Sequence, residues 1–404
     1  MRIVSDMRLL IGLALLGSVV AANPNITQST PRVFLLEIEQ LDRARDGGDS
    51  AARQRLLAEA DRLLEMTPRS VLEKSITPAS GDKHDYFSLG PYWWPNPAKP
   101  DGLPYIRRDG ETNPESRRNS DSGAFARTCG AIELLGTAFY LTSQERYAVK
   151  AAVLARTWFL DPATRMKPNF QHAQAIPGVT DGRGIGIIEA QNLMRANEGL
   201  ALLDASPAWT AADRAAMLAW NGQFYHWLTT SKNALEEKAW HNNHGSWYDA
   251  QVAHLALVLG RKDEARQILT AGLSERVAKH IEPDGRQPHE LERTNSLGYS
   301  IYNLEALFLC ARLAEFVGVD WWRFATPDGR SLGAALRYLA PYLDPQKPWP
   351  KSEIHEANRA RLGPLLRRFT QRVDDAELKS LLQRHAESSD SELPWRFLAE
   401  EYRG

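Results

Sequence analysis

Two short segments in the second half of the chain combine side chains that exchange protons with side chains that hold a carboxylate. The first reads AWHNNHGSWYDAQ, residues 239–251, and contains Asn243 and His244. The second reads QPHELERTNSLGYSIYNLEA, residues 287–306, and contains Arg293 and Tyr299. Histidine and tyrosine can transfer protons, and asparagine and arginine can hydrogen-bond a negatively charged group. The four residues together predict a site that removes a proton beside a carboxylate.

This residue set suits β-elimination in a polymer of uronic acids. The reaction removes the proton at C5, beside the carboxylate, and expels the glycosidic oxygen from C4. Because the C5 proton is barely acidic while the carboxylate is charged, that group must be neutralised or hydrogen-bonded, which Asn243 and Arg293 can do. His244 and Tyr299 suit the tasks of base and acid, and the sequence leaves open which of them takes the proton. The scheme requires no metal ion and no other cofactor.

The spacing of Arg293 and Tyr299 sets a condition on the local fold. The two residues are six positions apart, so they would not share one face of a continuous helix. A turn at Thr294 and Asn295, or at Gly298, would bring both side chains to one cleft. We therefore expect a break in the helical pattern between them.

The first segment is expected to lie at the start of a helix near Trp247. Asparagine is favoured at helix starts, so one of the asparagines before that helix is expected to be its cap. His241 and His244 could suggest a metal pair, but no third ligand stands at a familiar spacing. The sequence therefore predicts no metal site.

The elements that position these residues are predicted to be helices. At least eight segments repeat apolar residues at three- and four-residue spacing, and alternating strand patterns are nearly absent. Gly, Pro, Asn and Asp fill the connections, and Thr210 before AADR is a typical helix start. No linker or short repeat divides the chain. We predict an all-α fold, an (α/α)n toroid of antiparallel helix pairs with long aromatic-rich loops over a groove, as one domain over residues 23–404.

Two long stretches, residues 77–120 and 168–186, escape the helical pattern. The first is rich in Pro and Gly yet also in Tyr and Trp, unlike a disordered segment. Long loops inside a compact domain are usually functional. Aromatic planes beside polar groups bind sugar rings by stacking, although the same aromatics could instead pin the loops to the helices. Both roles are expected.

The chain resembles the alginate lyase superfamily, a group of exported (α/α)-toroid polysaccharide lyases. The resemblance covers most of the mature chain and is carried by GDKHDYFSLGPYWWPNP, DGLPYIRRDGETNPE, NNHGSWYDAQ and ERTNSLGYSIYNL. The family pattern of Asn-His followed by an aromatic residue falls on Asn243, His244 and Trp247, and its Arg and Tyr fall on Arg293 and Tyr299. Mannuronate lyases of this kind have one more residue between that Arg and Tyr, which leaves the preferred uronate open.

The resemblance and the two loops together indicate a binding surface for an anionic polysaccharide. It is expected to combine aromatic shelves with local positive charge, although helix capping would explain the amides almost as well. The predicted substrate-binding residues are Lys83, His84, Tyr86, Trp93, Trp94, Arg183, Gln191, Asn192 and Trp247.

Composition and the first residues bear on partners and location. The formal net charge of −1 gives no global attraction to nucleic acid or to a membrane. Arg2 and Arg8 precede an apolar run over residues 9–20, and small residues follow, as in a secretory signal peptide over 1–22. We expect a periplasmic or secreted protein without stable membrane association after cleavage.

Cys129 and Cys310 lie in apolar helical patterns and are expected to be buried thiols, with a disulfide as the alternative.

Three alternatives stay open at this point. A glucuronan lyase would use the same mechanism, although polymannuronate is the preferred expectation. A glycoside hydrolase would need two paired carboxylates, and no motif pairs the available ones. A non-catalytic polyuronate-binding protein would need the aromatic and basic groups but not His244 with Tyr299. Formation of unsaturated sugar ends would separate a lyase from both the hydrolase and the binding protein.

Overall fold

Residues 31–47, 51–118 and 120–385 are described by the computed structural model, and they form one compact unit. The predicted signal peptide, residues 1–22, lies outside the described residues. None of the helices in the described ranges is both long and apolar enough to cross a bilayer.

Helices account for most of the described chain. The α-helices are α1 (Ile38–Asp46), α2 (Ala51–Leu64), α3 (Glu115–Arg118), α4 (Ser122–Thr142), α5 (Glu145–Ala155), α6 (Asn192–Ala201), α7 (Ala211–Thr230), α8 (Lys232–Lys238), α9 (Asn243–Val258), α10 (Lys262–Gly272), α11 (Ala278–His280), α12 (Pro288–Leu291), α13 (Ser296–Glu315), α14 (Leu332–Leu339), α15 (Leu362–Arg372) and α16 (Ala376–Arg384). Wider π-type turns follow α5 and α10, at Arg156–Leu160 and Leu273–Val277. Tighter 3₁₀ turns lie at Val71–Glu73, Gly184–Gln191, Ala340–Leu343 and Arg359–Arg361.

Four short strands lie in the two long loops, where the sequence shows no helical pattern. They are β1 (Phe87–Leu89), β2 (Trp93–Trp94), β3 (Ile106–Arg107) and β4 (His172–Ala175). β1 pairs in parallel with β4, which ties the first loop to the second, and β2 pairs antiparallel with β3 within the first loop. The loops are therefore held to each other by backbone hydrogen bonds.

The core is built around helices that are buried on nearly all sides. α4 packs against α5 and α6, and α9 packs against α10 and α13. The approach of α4 to α6 depends on Gly136, because a Cβ at this position would lie 2.2 Å from the backbone oxygen of Gly199. Since α9 and α13 are mostly buried, the residues at their first turns are held in fixed positions.

Two helix starts test the local predictions. Thr210 caps α7 by accepting a hydrogen bond from the Asp213 N–H, as its sequence context predicts. α9 begins at Asn243 rather than near Trp247, so the predicted start was wrong by four residues. The physical reason is the cap: Asn242 Oδ1 accepts a hydrogen bond from the His244 N–H at 3.1 Å.

The two cysteines are buried and free. Cys129 lies on α4 and Cys310 on α13. Burial raises the pKa of both thiols, so they are inert packing residues rather than reactive groups. The disulfide alternative is not formed.

Candidate active site

A wide cleft of about 2570 Å³ brings together the four predicted catalytic residues. Asn243 and His244 open α9, and Tyr299 lies in the first turn of α13. Arg293 lies between α12 and α13, in the connection that contains Thr294 and Asn295. The predicted turn at these two residues therefore exists, and it brings residues that are distant in sequence to one wall.

Asn243 is held by a buried carboxylate. Its backbone N–H donates to Glu290 Oε1 at 2.6 Å, and its Nδ2 donates to Glu290 Oε2 at 2.8 Å. Asn243 Oδ1 is buried without a hydrogen-bond partner among the described residues. Such an atom costs free energy unless a ligand or water satisfies it, so the side chain is oriented with hydrogen-bonding capacity to spare.

His244 is paired with a second buried carboxylate. Its Nδ1 lies 2.9 Å from Oε1 of Glu237, which is fully buried on α8. Burial raises the pKa of Glu237, and the nearby His244 opposes that effect. A carboxylate at Nδ1 favours the tautomer with its proton there, which leaves Nε2 as the other proton-exchanging atom.

The segment that leads into α9 is fixed by Arg276. Its guanidinium donates to the backbone oxygens of Trp240 at 3.0 Å and Lys238 at 2.7 Å, and it pairs with Asp249 at 2.8 Å. The buried pair thus holds the turn between α8 and α9. It thereby fixes the approach of Glu237 to His244.

Arg293 and Tyr299 are stacked. The guanidinium carbon of Arg293 lies 3.8 Å from the centroid of the Tyr299 ring. Arg293 also donates to Asp109, at 2.9 Å to Oδ1 and 3.2 Å to Oδ2. Burial lowers the pKa of Arg293, but the charges of Tyr299 and Asp109 outweigh this effect and raise it, so the guanidinium stays charged beside the ring.

Asp109 reaches Arg293 from the first long loop. Burial raises the pKa of Asp109, and the hydrogen bonds and charge of Arg293 overcome this effect and lower it to about 2. Asp109 also accepts from the Thr294 hydroxyl at 3.1 Å. The positive charge that the sequence assigns to a substrate carboxylate is therefore already paired within the protein.

The Tyr299 hydroxyl meets a second phenol from the same loop. Tyr92 Oη lies 2.6 Å from Tyr299 Oη. Both residues line the cleft. Tyr299 thus has a hydroxyl in reach of the cleft, a charged guanidinium on its ring face and a hydrogen-bonded phenol beside it.

Some predicted substrate-binding residues line this cleft and others do not. Those on its wall are Trp93, Arg183, Gln191 and Asn192. Gln191 Nε2 donates to the Tyr302 hydroxyl at 2.8 Å, and Asn192 Nδ2 donates to the Glu189 carbonyl at 3.2 Å. Both amides are thus anchored at the junction before α6 with part of their surface on the groove.

Five predicted binding residues are engaged elsewhere. Lys83 Nζ donates to the Lys74 carbonyl at 3.0 Å, and His84 Nδ1 lies 2.6 Å from the Arg165 carbonyl, so both brace the loop. Tyr86 is fully buried and bonds Glu189 at 2.7 Å. Trp247 is buried against Tyr302, with ring centroids 4.9 Å apart.

Trp94 is the fifth, and strand geometry explains its position. Successive strand residues point to opposite faces, so Trp93 lines the cleft and Trp94 does not. Trp94 Nε1 instead donates to the Glu111 carbonyl at 3.0 Å, and Arg108 lies over its ring at 5.0 Å. The structure therefore places these five side chains away from the cleft wall, because each packs or braces the loop.

Sequence reasoning missed the groups that contact the predicted catalytic side chains, namely Glu237, Asp109 and Tyr92. Glu290, which holds Asn243, stands three residues before Arg293 in the sequence. Glu290 and Arg293 belong to the same sequence segment, and this proximity was the signal that could have revealed that Glu290 supports the site. Within the described ranges, no group of three or more His, Cys, Asp and Glu residues is arranged to hold a metal ion.

Comparison with known proteins identifies the family. The family model described as alginate lyase matches residues 70–349, which is more than half of the chain. The chain belongs to the alginate lyase family. It is thus an enzyme of the polysaccharide lyase class.

Solved structures of alginate lyases share its fold. A crystal structure of an alginate lyase from Bacteroides ovatus is 38% identical, with a TM-score of 0.84, covering 87% of this chain and 95% of that chain. Alginate lyase A1-III is more distant. A histidine-to-alanine variant complexed with a tetrasaccharide is 15% identical, with a TM-score of 0.55 and coverage of 86% and 90%. A tyrosine-to-phenylalanine variant complexed with a tetrasaccharide is 15% identical, with a TM-score of 0.54 and coverage of 89% and 94%.

These structures are α/α toroids, which confirms the predicted fold class for this alginate lyase family member. The more distant pair supports the fold alone. No curated protein sequence matches the chain.

Proposed function

We propose that this lyase cleaves alginate, with a preference for polymannuronate, by metal-independent β-elimination that leaves 4,5-unsaturated uronate ends. The observation that carries the proposal is the joint geometry of His244, backed by Glu237 at 2.9 Å, and Tyr299, stacked on Arg293 at 3.8 Å, in one cleft. Two proton-exchanging groups and a charged guanidinium suit an elimination. The name of the 38% identical Bacteroides ovatus protein supports alginate as the substrate.

Tyr299 is the proposed proton carrier at the reacting carbons. A free tyrosine has a pKa of about 10, and a neighbouring positive charge favours the phenolate. Arg293 supplies that charge at the ring face. Tyr299 then takes the C5 proton and returns it to the departing O4, or His244 takes the proton and Tyr299 serves only as the acid.

Asn243 is proposed to stabilise the carboxylate as charge builds on it. Glu290 accepts from the backbone N–H and from one Nδ2–H of Asn243, and Asn243 lines the cleft. The donor assigned to the substrate carboxylate is the second Nδ2–H, because the unpartnered Oδ1 can only accept. A preorganised donor at developing charge strengthens in the transition state without reorganisation. Arg293 supports the reaction through Tyr299 rather than through direct contact with substrate.

The stereochemistry favours polymannuronate. In β-mannuronate and β-glucuronate, the C5 hydrogen and the C4 oxygen lie on the same side of the ring, so one residue can serve both atoms. Guluronate has the opposite C5 configuration, so it needs a base on one side of the ring and an acid on the other. A single proton carrier such as Tyr299 on the cleft wall therefore suits mannuronate blocks, with glucuronan as the second candidate substrate.

Product formation on four polymers tests the proposal. The purified protein is incubated with polymannuronate, polyguluronate, glucuronan and hyaluronan, and near-ultraviolet absorbance of the C4=C5 bond is followed. We expect the highest rate on polymannuronate, unchanged by EDTA. A higher rate on glucuronan would support the alternative substrate, and strong EDTA inhibition reversed by one metal would contradict the metal-free mechanism. Tight polymer binding without unsaturated ends would favour a non-catalytic polyuronate-binding protein.

We further propose that the protein is exported after removal of residues 1–22. The basis is the charged start followed by the apolar run at residues 9–20. Mass spectrometry of periplasmic or secreted material should find a first residue near Asn23. An intact Met1 in that fraction would contradict this proposal.

A further inference from the structure

Arg183 is a cleft-lining cation whose contacts differ from those of Arg293. Its Nε donates to the backbone oxygen of Gln174 at 3.2 Å, and its Nη2 donates to Gln174 Oε1 at 2.8 Å. Among the described residues, no carboxylate oxygen lies within the 4.0 Å of an ion pair with this guanidinium. A half-buried guanidinium held only by neutral acceptors can still bind an anion from the cleft.

Two residues of the first loop shape the space around this guanidinium. The ring of Trp93 lies 5.8 Å from Arg183 Cζ. A Cβ on Gly90 would lie 2.8 Å from Trp93 Cδ1 and 3.0 Å from Arg183 Nη2. The absence of a side chain at Gly90 thus lets the tryptophan and the guanidinium share one pocket wall.

Gln174 adopts a backbone conformation that needs support. Its φ is +49°, which non-glycine residues seldom adopt and which costs about 1 kcal/mol or more. Its N–H donates to Ser88 Oγ at 2.7 Å, and that hydroxyl donates to buried Glu189 at 2.6 Å. The surroundings therefore hold Gln174 in this conformation, and its two oxygens hold Arg183.

The charges that act on Arg183 do so without direct contact. Burial lowers its pKa to about 10, while Glu189, Glu237 and Glu236 partly compensate and Arg107 adds to the decrease. Glu189 is occupied by Tyr86 and Ser88, and Glu237 by His244. The guanidinium consequently remains available for a further carboxylate.

We infer that Arg183, positioned by Gln174 beside Trp93, binds a uronate carboxylate of the substrate and makes the enzyme require an acidic sugar at that subsite. The inference rests on the proposed function of this cleft. It assigns Gln174 as the positioning residue, because its two oxygens aim the guanidinium. Since Arg293 is already paired with Asp109, Arg183 rather than Arg293 supplies the cationic contact to a substrate carboxylate, in addition to the amide of Asn243.

Binding measurements in a catalytically inert background test this inference separately from catalysis. In Tyr299→Phe protein, the Kd of saturated polymannuronate oligomers is measured with Arg183→Gln or Gln174→Glu added. Gln174→Glu keeps the side-chain length but places a carboxylate against Arg183. We expect each change to raise Kd by about 10- to 100-fold, the range of a charge-assisted hydrogen bond, and to weaken its salt dependence.

Arg108→Gln is the matched control. Arg108 also lies over a tryptophan, Trp94, but it pairs with Glu111 and does not line the cleft. Its removal should leave Kd within about 2-fold. Carboxyl-reduced oligomers should bind weakly to every variant, so the effect of Arg183→Gln should vanish with them. The Kd of Arg183→Lys should lie between those of the protein with Arg183 and of Arg183→Gln, because lysine keeps the positive charge but cannot make both hydrogen bonds to Gln174.

Failure of the Arg183 subsite and failure of the lyase mechanism would give different results. If Arg183→Gln and Gln174→Glu both keep Kd within about 2-fold in folded protein, the carboxylate subsite is wrong, whatever the wild-type enzyme releases. If the Kd effects appear but the wild-type enzyme forms no unsaturated ends, the subsite is supported and the lyase mechanism is wrong. Circular dichroism of each variant establishes that it is folded before either comparison.

Discussion

Arg293 stacks on Tyr299 with its guanidinium carbon 3.8 Å from the ring centroid, and both carboxylate oxygens of Asp109 hold it there. The arginine thus acts on the proposed proton carrier, and a loop residue from far upstream sets its orientation. This relationship changes the role that residue types alone suggest for Arg293. It also gives a specific expectation for its substitution.

Arg293→Lys should be nearly as damaging as Arg293→Ala. A lysine cannot both lie flat on the ring and make two hydrogen bonds to Asp109. We expect turnover to fall by about 10²- to 10³-fold, the usual scale for loss of preorganised electrostatic support, with little change in KM. Steady-state kinetics on polymannuronate measures the changes in kcat and in KM separately. A large rise in KM at unchanged kcat would instead mean that Arg293 binds substrate directly.

Glu237→Gln should lower kcat while the fold persists. The carboxylate at 2.9 Å from Nδ1 of His244 favours one tautomer of the ring, and a neutral amide does so less strongly. We expect a loss of about 10- to 100-fold, the range for outer partners of a functional histidine, with KM nearly unchanged. Kinetics of Glu237→Gln beside Glu237→Asp measures this. Equal activity in wild type and Glu237→Gln would show that His244 needs no such partner.

Glu290 links the site to stability. Burial raises its pKa from 4.5 to about 7, against the opposing hydrogen bonds from Asn243. The folded state therefore binds more protons than the unfolded state between these values, so its contribution to stability is present below about pH 4.5 and lost as pH rises through about 7.

Glu290→Gln should remove that pH dependence. Relative to wild type, the variant should gain thermal stability as the pH rises from about 5 to about 8, because it carries no buried charge to ionise. Turnover should nevertheless fall, since a glutamine cannot accept from both donors of Asn243. Melting curves at both pH values, with kinetics on the same protein, test this. A pH-independent difference in Tm would mean that Glu290 does not titrate in this window.

The residue types of the site could be predicted because two segments carry them in a fixed order. His244 and Tyr299 stand at the starts of two buried helices, and apolar periodicity predicts those helices. The all-α class follows from the same periodicity. What could not be predicted is the pairing across long sequence separations, such as Asp109 with Arg293, because a loop carboxylate shows no partner in its own segment.

Which loop residues reach the cleft wall could be predicted less well, for a local reason. Aromatic residues in a loop either contact ligand or pin the loop, and composition does not separate the two. Tyr86 belongs to the core, and Trp93 and Trp94 point to opposite faces because they form a two-residue strand. Gln174 stood in no motif, and only its backbone conformation and contacts with Arg183 draw attention to it.

The most direct test of the proposed mechanism is Tyr299→Phe, which removes the proton-carrying hydroxyl and keeps the ring. Tyr248→Phe is the matched control. The Tyr248 hydroxyl donates to the Leu228 carbonyl at 2.8 Å, and Tyr248 does not line the cleft. Release of unsaturated ends from polymannuronate is measured beside oligomer binding on the same preparations. We predict that Tyr299→Phe binds normally and loses turnover by at least about 10²-fold, within the range for general acid–base catalysis, while Tyr248→Phe keeps its turnover. Turnover of Tyr299→Phe within a few-fold of wild type would make Tyr299 a packing residue and contradict the mechanism.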